Sequence, residues 1–255
     1  MKKHLSLVLS IFFIAVLLFT GCEKDKPDNT EMPNPTTESA GYEEGVKYFE
    51  DGYYFEVIEN SVKIVGHQDN GEKEIVVPEE IAGMKVKILG SDAFYQHKAV
   101  ESIVLPDNLT AIIGSPFYRC YSLKKIFIPE NVSLITSNPF FRASSLSEIT
   151  VDSKNIYYSS EDGVLYDRAK TKLIAYPEGK PDESYTMPET VKTISIDSFG
   201  YHAKVKTIKM PVYLTSFPSN NIFVFPDDYK LIVHPNTIPE AYAEQHGIKY
   251  ELVEK

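Results

Sequence analysis

Cysteine occurs only twice in the 255 residues, and basic residues are in the minority, 26 Lys and Arg against 36 Asp and Glu. Two thiols are too few for a disulfide-stapled scaffold or a four-thiolate zinc site. A formal net charge of −10 argues against a binder of phosphate backbones, which needs a basic face, so no nucleic-acid partner is expected. The six histidines form no His-Glu-x-x-His, and Cys-x-x-Cys, Gly-x-Ser-x-Gly and Gly-rich phosphate loops are all absent. What is present is an ordinary globular composition, 43% hydrophobic and 24% charged, which excludes a wholly disordered chain and a multi-pass membrane protein. The length allows one large domain or two small ones.

The N-terminus reads as an address. Lys2 and Lys3 precede an almost unbroken apolar run from Leu5 to Phe19, short for a bilayer span and laid out as a secretory signal. The run ends at Phe19-Thr20-Gly21-Cys22, which resembles a bacterial lipobox. That resemblance implies cleavage of residues 1–21 and lipidation of Cys22, giving a membrane partner through the acyl chains. An uncleaved anchor that happens to end at a cysteine is the alternative. Cleavage removes two lysines and no acid, so the charge of −10 becomes −12. Residues 22–45 are rich in Pro, Asn, Thr, Glu and Ser and too poor in apolar surface to offset their ordering entropy, so they are expected to be a flexible acidic tether. The acids directly after Cys22 resemble a surface-export signal of Bacteroides-like lipoproteins, which implies an outer-membrane protein facing the cell exterior. A plain soluble spacer is the other reading.

A repeat of 23 residues organises the rest. Ser102-Ile103-Val104-Leu105-Pro106 aligns with Lys125-Ile126-Phe127-Ile128-Pro129 and then with Glu148-Ile149-Thr150-Val151-Asp152. Glu74-Val77, Ser184-Met187, Thr207-Met210 and Lys230-Val233 continue the column. Phe94, Phe117 and Phe140 keep the same spacing, as do Phe199 and Ile222. Two further apolar columns run through Leu89, Ile112, Ile135 and Ile194 and through Val100, Leu123, Leu146 and Val205. Each unit is therefore one coil of a solenoid, with Ile103 and Leu105 inward and Ser102 and Val104 outward. Stacked coils pair their strands in parallel, and the Phe column is expected to form a buried spine that no single unit could bury alone.

Ala93-Phe94, the Phe117-to-Leu123 segment and the Ile-x-Ile/Leu-Pro strands resemble the BspA-like leucine-rich repeat family. The resemblance spans residues 46–255. It implies a β-rich right-handed solenoid with a parallel sheet on one face, and adhesion to host, matrix or other bacteria. The family's repeated cysteine survives only as Cys120; His97, Ala143 and His202 occupy that slot elsewhere. Pro116 and Pro139 stand where small residues are usual, so those turns are expected to differ in detail.

Three segments break the repeat. Tyr53 to Ile58 and Val62 to Gly66 read as a capping hairpin turning at Glu59-Asn60-Ser61. Residues 155–177 read as an inserted β-hairpin around Arg168 to Thr171. Residues 236–255 read as a C-terminal cap, with a short helix from Pro239 to His246 closed by Gly247.

Chemistry is thinly represented. Cys120 and His97 occupy equivalent slots on adjacent coils, the arrangement of a thiol nucleophile and its base; filling a turn slot explains both more simply. Glu161-Asp162-Gly163 and Asp227-Asp228 carry carboxylates, without a complete calcium loop. No enzyme activity, cofactor or metal is expected. The outward strand column, Val76, Val104, Phe127, Thr150, Thr186 and Lys209, is the candidate binding face, because its first half would leave apolar side chains in solvent. Tyr95, Tyr118, Tyr121 and Tyr201 follow the Phe spine and suit protein contacts or sugar stacking. A protein partner is therefore expected, with a glycan-binding accessory lipoprotein of an outer-membrane uptake system as the alternative.

Overall fold

The computed structural model describes residues 41–200, 203–218 and 229–253. The signal segment, Cys22, most of the tether, Tyr201, His202, Ile222 and the Asp227-Asp228 pair lie outside the described residues.

Three antiparallel strands, β1 (Lys47–Glu50), β2 (Tyr53–Ile58) and β3 (Ser61–His67), open the domain. Glu59 and Asn60 turn β2 into β3 with φ of 47° and 56°, the left-handed pair that matches strand twist in a two-residue hairpin. The repeat then builds two parallel ladders. On one side stand β4 (Glu74–Val76), β7 (Ser102–Val104), β9 (Lys125–Ile128) and β11 (Glu148–Val151). Ile75 pairs with Ile103, and Ile126 with Ile149, all four buried. On the other side β6 (Met84–Leu89), with β5 (Glu80–Ile81) folded back on it, joins β3 in parallel. The short strands β8 (Ala111–Ile112) and β10 (Leu134–Ile135) extend that ladder.

Between the ladders runs the aromatic spine. Phe94 and Phe117 stack with centroids 5.8 Å apart and planes 1° apart, and Phe117 and Phe140 follow at 5.4 Å and 13°. After each spine ring comes a non-glycine residue in the left-handed region, Gln96, Arg119 and Arg142, at φ of 61°, 61° and 62°. The turn is held because coil-to-coil hydrogen bonds pass through it: Gln96 N donates to Tyr118 O at 2.9 Å and Phe94 N to Pro116 O at 3.0 Å. Pro116 and Pro139 are tolerated here because the preceding coil uses their carbonyls, not an N–H.

The insertion holds more than a hairpin. The expected turn at 168–171 joins β13 (Val164–Asp167) to β14 (Lys172–Ala175), and β12 (Tyr158–Glu161) adds a third antiparallel strand. Buried Asn155 fixes its entry, donating to Pro129 O and Val132 O at 2.9 Å and accepting from Tyr157 N and Tyr158 N. Val164-Leu165-Tyr166 and Leu173-Ile174-Ala175-Tyr176 are buried without alternation, the pattern of a sheet covered on both faces. Leu165, Ile174 and Ala175 complete the N-terminal core. Val164, Tyr166, Leu173 and Tyr176 begin the C-terminal one. The insertion is thus a wall between two hydrophobic cores.

Beyond the wall the coil resumes. β14 pairs in parallel with β16 (Thr193–Ile194), and a second four-stranded parallel sheet forms from β15 (Ser184–Thr186), β17 (Thr207–Lys209), β18 (Lys230–Val233) and β19 (Tyr250–Leu252). The expected helix is α1 (Ile238–His246), with Pro in its first turn and Gly247 at φ 65° closing it. Its buried Ala243 belongs to the C-terminal core.

Candidate binding surfaces

The candidate column is split by the insertion. Val76 lies opposite Val104 on adjacent strands and Phe127 opposite Thr150. Thr186 lies opposite Lys209 on the second sheet. Thr150 and Thr186 therefore belong to different sheets, because β12 to β14 intervene.

The first sheet presents the apolar part. Val76, Val104 and Phe127 are 70%, 53% and 49% exposed on three successive coils, about 4.8 Å per step. Their neighbours on the same strands, Ile75, Ile103 and Ile126, are buried, so the exposure follows from the alternation of the strand. Charged residues flank the stripe. Glu101 accepts from both Lys124 and Lys73, the latter at 3.2 Å, and Lys125 pairs with Glu148. These hydrogen bonds, with Lys124 contributing most, hold the Glu101 carboxyl below the ordinary carboxylate range. Exposed pairs of this kind add little stability; they form a polar rim beside an apolar stripe.

Where the column breaks, a cleft of about 790 Å³ opens. Thr150 and Glu148 line one side, Ser184 and Thr186 the other, with Tyr166 and Tyr185 also in the lining. Tyr166 and Tyr185 share a hydroxyl–hydroxyl hydrogen bond. Burial pushes the Tyr166 phenol up to about 12 and raises that of Tyr185 as well, so both phenols stay neutral. Acids predominate in the lining, with Glu148, Glu161, Asp162 and Asp182 against Lys125 and Lys180. Lys180 is paired to Asp182 at 2.7 Å. Sequence reasoning singled out only Thr150, Thr186 and the Glu161-Asp162 acids here, since the cleft depends on how the insertion displaces a strand.

A third surface follows the turns. Tyr95, Tyr118 and Phe141 stack at 5.5 and 5.8 Å, with the Arg119 guanidinium 5.1 Å from the Tyr118 centroid. Tyr95 is exposed and Tyr118 and Tyr121 half-buried. At Gly200, which follows the spine ring of Phe199, a side chain would collide with the buried Glu178 carboxylate.

The cysteine slot is occupied without pairing Cys120 to His97. The buried Cys120 thiol donates to Phe94 O at 3.1 Å, and burial pushes it up to about 12, the reverse of an activated thiolate. His97 instead bonds His67, Nε2 to Nδ1 at 2.9 Å. Burial first, then the His97 ring, lowers the pKa of His67. No sequence signal links these two, since His67 belongs to the cap and lies 30 residues away. Glu161 pairs with Lys170 at 2.9 Å. Among the described residues no three His, Cys, Asp or Glu side chains converge as metal ligands, and no helix is long and apolar enough to cross a membrane.

Comparison with known proteins adds the following. The model for the BspA type leucine rich repeat region matches residues 73–180 and 178–223, in six copies. No curated protein matches the chain. Among solved structures, a leucine-rich repeat protein from Eubacterium ventriosum is 18% identical, covering 75% of this chain and 67% of its own, with a TM-score of 0.45. A leucine rich cell surface protein from Faecalibacterium prausnitzii is also 18% identical, covering 75% and 76%, with a TM-score of 0.34. A leucine rich repeat protein from T. pallidum is 15% identical, covering 81% and 98%, with a TM-score of 0.38.

Proposed function

We propose that this chain, which belongs to the BspA-type leucine-rich repeat family, is a non-catalytic lipoprotein that holds a protein partner on its solenoid sheet, in adhesion to host, matrix or other bacteria. The observation that carries this reading is the stripe of Val76, Val104 and Phe127, large apolar side chains exposed on consecutive strands of a regular sheet. Burying such side chains contributes about 1.5–3 kcal/mol each, and three neighbouring strands can offer all three to one partner at once. The cell-surface part rests on the basic start, the apolar run and Gly21-Cys22. In this reading residues 1–21 are removed, Cys22 carries the lipid in the outer membrane, and residues 22–45 hold the solenoid away from it, facing the exterior.

A second reading is favoured by the exposed edge of the Tyr95–Tyr118 stack: a glycan-binding accessory lipoprotein of an outer-membrane uptake system. Arrays separate the two. Retention on protein arrays and not on glycan arrays supports the adhesive reading, and the opposite pattern replaces it with the glycan reading. Protease shaving of intact cells tests display; survival of the protein under shaving contradicts exterior placement.

A further inference from the structure

The edge of β15 that faces the cleft is an unfilled strand position. In the ladder between β15 and β17, Thr207 N donates to Glu183 O and Met187 N to Lys209 O. Parallel pairing uses alternate residues, so the main-chain groups of residues 183, 185 and 187 are turned toward β17. Those of Ser184 and Thr186 are turned the other way. Among the described residues nothing bonds the N–H or C=O of Ser184 or Thr186 on that side, and β15 is the last strand of its sheet. Both residues are exposed and line the cleft.

The period explains the gap. A shift of 23 residues back from Ser184-Tyr185-Thr186 lands on Glu161-Asp162-Gly163. Glu161 ends β12, and Asp162 and Gly163 make the turn into β13 at φ of 49° and 77°. They serve the opposite wall instead, where Gly163 O accepts from Ile149 N at 2.9 Å and Ser160 Oγ from Val151 N at 3.2 Å. The β11 side is therefore closed and the β15 side open.

We infer that the β15 edge takes up an extended peptide segment of a partner protein, which adds to the second sheet as a strand and carries a basic residue. Unpaired, regularly spaced main-chain donors and acceptors are the template for strand addition. Of the four lining carboxylates, Glu148, Asp182 and Glu161 are paired with Lys125, Lys180 and Lys170. Asp162, which has no ion pair among the described residues, is the carboxylate that favours a basic residue in the segment. This inference does not depend on the apolar stripe, since Phe127 is not part of the cleft lining.

The probe is an acetylated, amidated octapeptide of alternating valine and threonine with a lysine at each end, titrated into the whole protein. Saturable binding is expected, with hydrogen-exchange protection gained at the Ser184 and Thr186 amides. Thr186→Pro removes an N–H that the sheet does not use, as edge strands tolerate. It is expected to keep the melting temperature and to weaken the peptide at least tenfold. N-methylation of alternate peptide amides is expected to do the same with the protein unchanged, which keeps the test decisive even where Thr186→Pro fails to fold. Absence of saturable binding up to about 1 mM, equal affinity of the methylated peptide, or protection elsewhere than at Ser184 and Thr186 would overturn the inference. So would protection that rises with protein concentration without peptide, which assigns the edge to a second copy. Phe127→Glu is expected to leave the peptide affinity unchanged, and a loss there contradicts the cleft as the site.

Discussion

The ring of Tyr176 lies on the ring of Phe199 with centroids 5.2 Å apart and planes 25° apart, at the 23-residue spacing that also stacks Phe94 on Phe117. The insertion therefore ends by supplying a spine residue to the C-terminal core. It does so with a phenol, and among the described residues the buried Tyr176 hydroxyl has no hydrogen-bond partner. Burial raises its pKa, so it stays neutral and unsatisfied.

Tyr176→Phe removes that orphan oxygen while keeping the stacked ring. A buried unsatisfied polar group costs about 1–3 kcal/mol. The variant is expected to be more stable by about 1 kcal/mol, measured as a higher denaturant midpoint at unchanged slope. Lower stability would mean that the hydroxyl is satisfied.

Gly179 is a close-approach glycine of a different kind. A Cβ there would lie 2.4 Å from the carbonyl carbon of Ser145, which is backbone and cannot swing aside, while Gly179 N donates to Leu146 O at 2.7 Å. Gly179→Ala is expected to destabilise by about 2 kcal/mol or more, within the range for overpacking. A loss under about 0.5 kcal/mol in denaturant melts contradicts the close contact.

The His67–His97 pair gives the fold a pH dependence. The ordinary imidazole value is about 6.5; in the folded chain burial, then the His97 ring, lowers His67, against the pull of Glu72 and Asp69. The unfolded chain therefore binds this proton more readily. The contribution of neutral His67 is complete above about pH 6.5 and is lost as pH falls from there through its lowered folded value. The melting temperature is expected to fall between about pH 7 and 5.5, and His67→Phe to flatten the slope. An equal slope in the variant contradicts this assignment.

Cys120 is expected to resist thiol reagents while the protein is folded. With the thiol pushed up to about 12 and donating to Phe94 O, almost no thiolate is present near neutrality. Mass spectrometry after iodoacetamide at about pH 8, below the ordinary thiol value, should find Cys120 unmodified until denaturant is added. Rapid labelling in the native state would contradict the buried slot.

The repeat made much of this architecture readable beforehand, for a physical reason. Stacked coils must keep equal length, so inward positions such as Phe94, Phe117 and Phe140 recur at equal spacing and outward ones such as Val104 and Phe127 keep step with them. The period carries register only along uninterrupted coils. It therefore did not show that Thr150 and Thr186 stand on separate sheets, or that Tyr176 takes up the spine after the insertion. The wall was partly legible: the hairpin turning at 168–171 shows in the sequence, but its strands read as alternating, whereas Val164, Leu165 and Tyr166 are all buried, and β12, with Ser159, Ser160 and Glu161, carries little strand signal. His67 with His97 was not legible, because their contact joins the cap to the first coil outside the period.

The exposed stripe is tested most directly by comparing the wild-type protein with Phe127→Glu on the array proteins that the wild type retains, alongside thermal melts. Binding is expected to weaken at least tenfold, while the melting temperature stays within about 2 °C, as befits a surface position. Undiminished binding, or no retained protein at all, would contradict the sheet as the partner-binding face. A melting temperature lowered by about 10 °C or more would contradict the exposure of Phe127 on which that face depends.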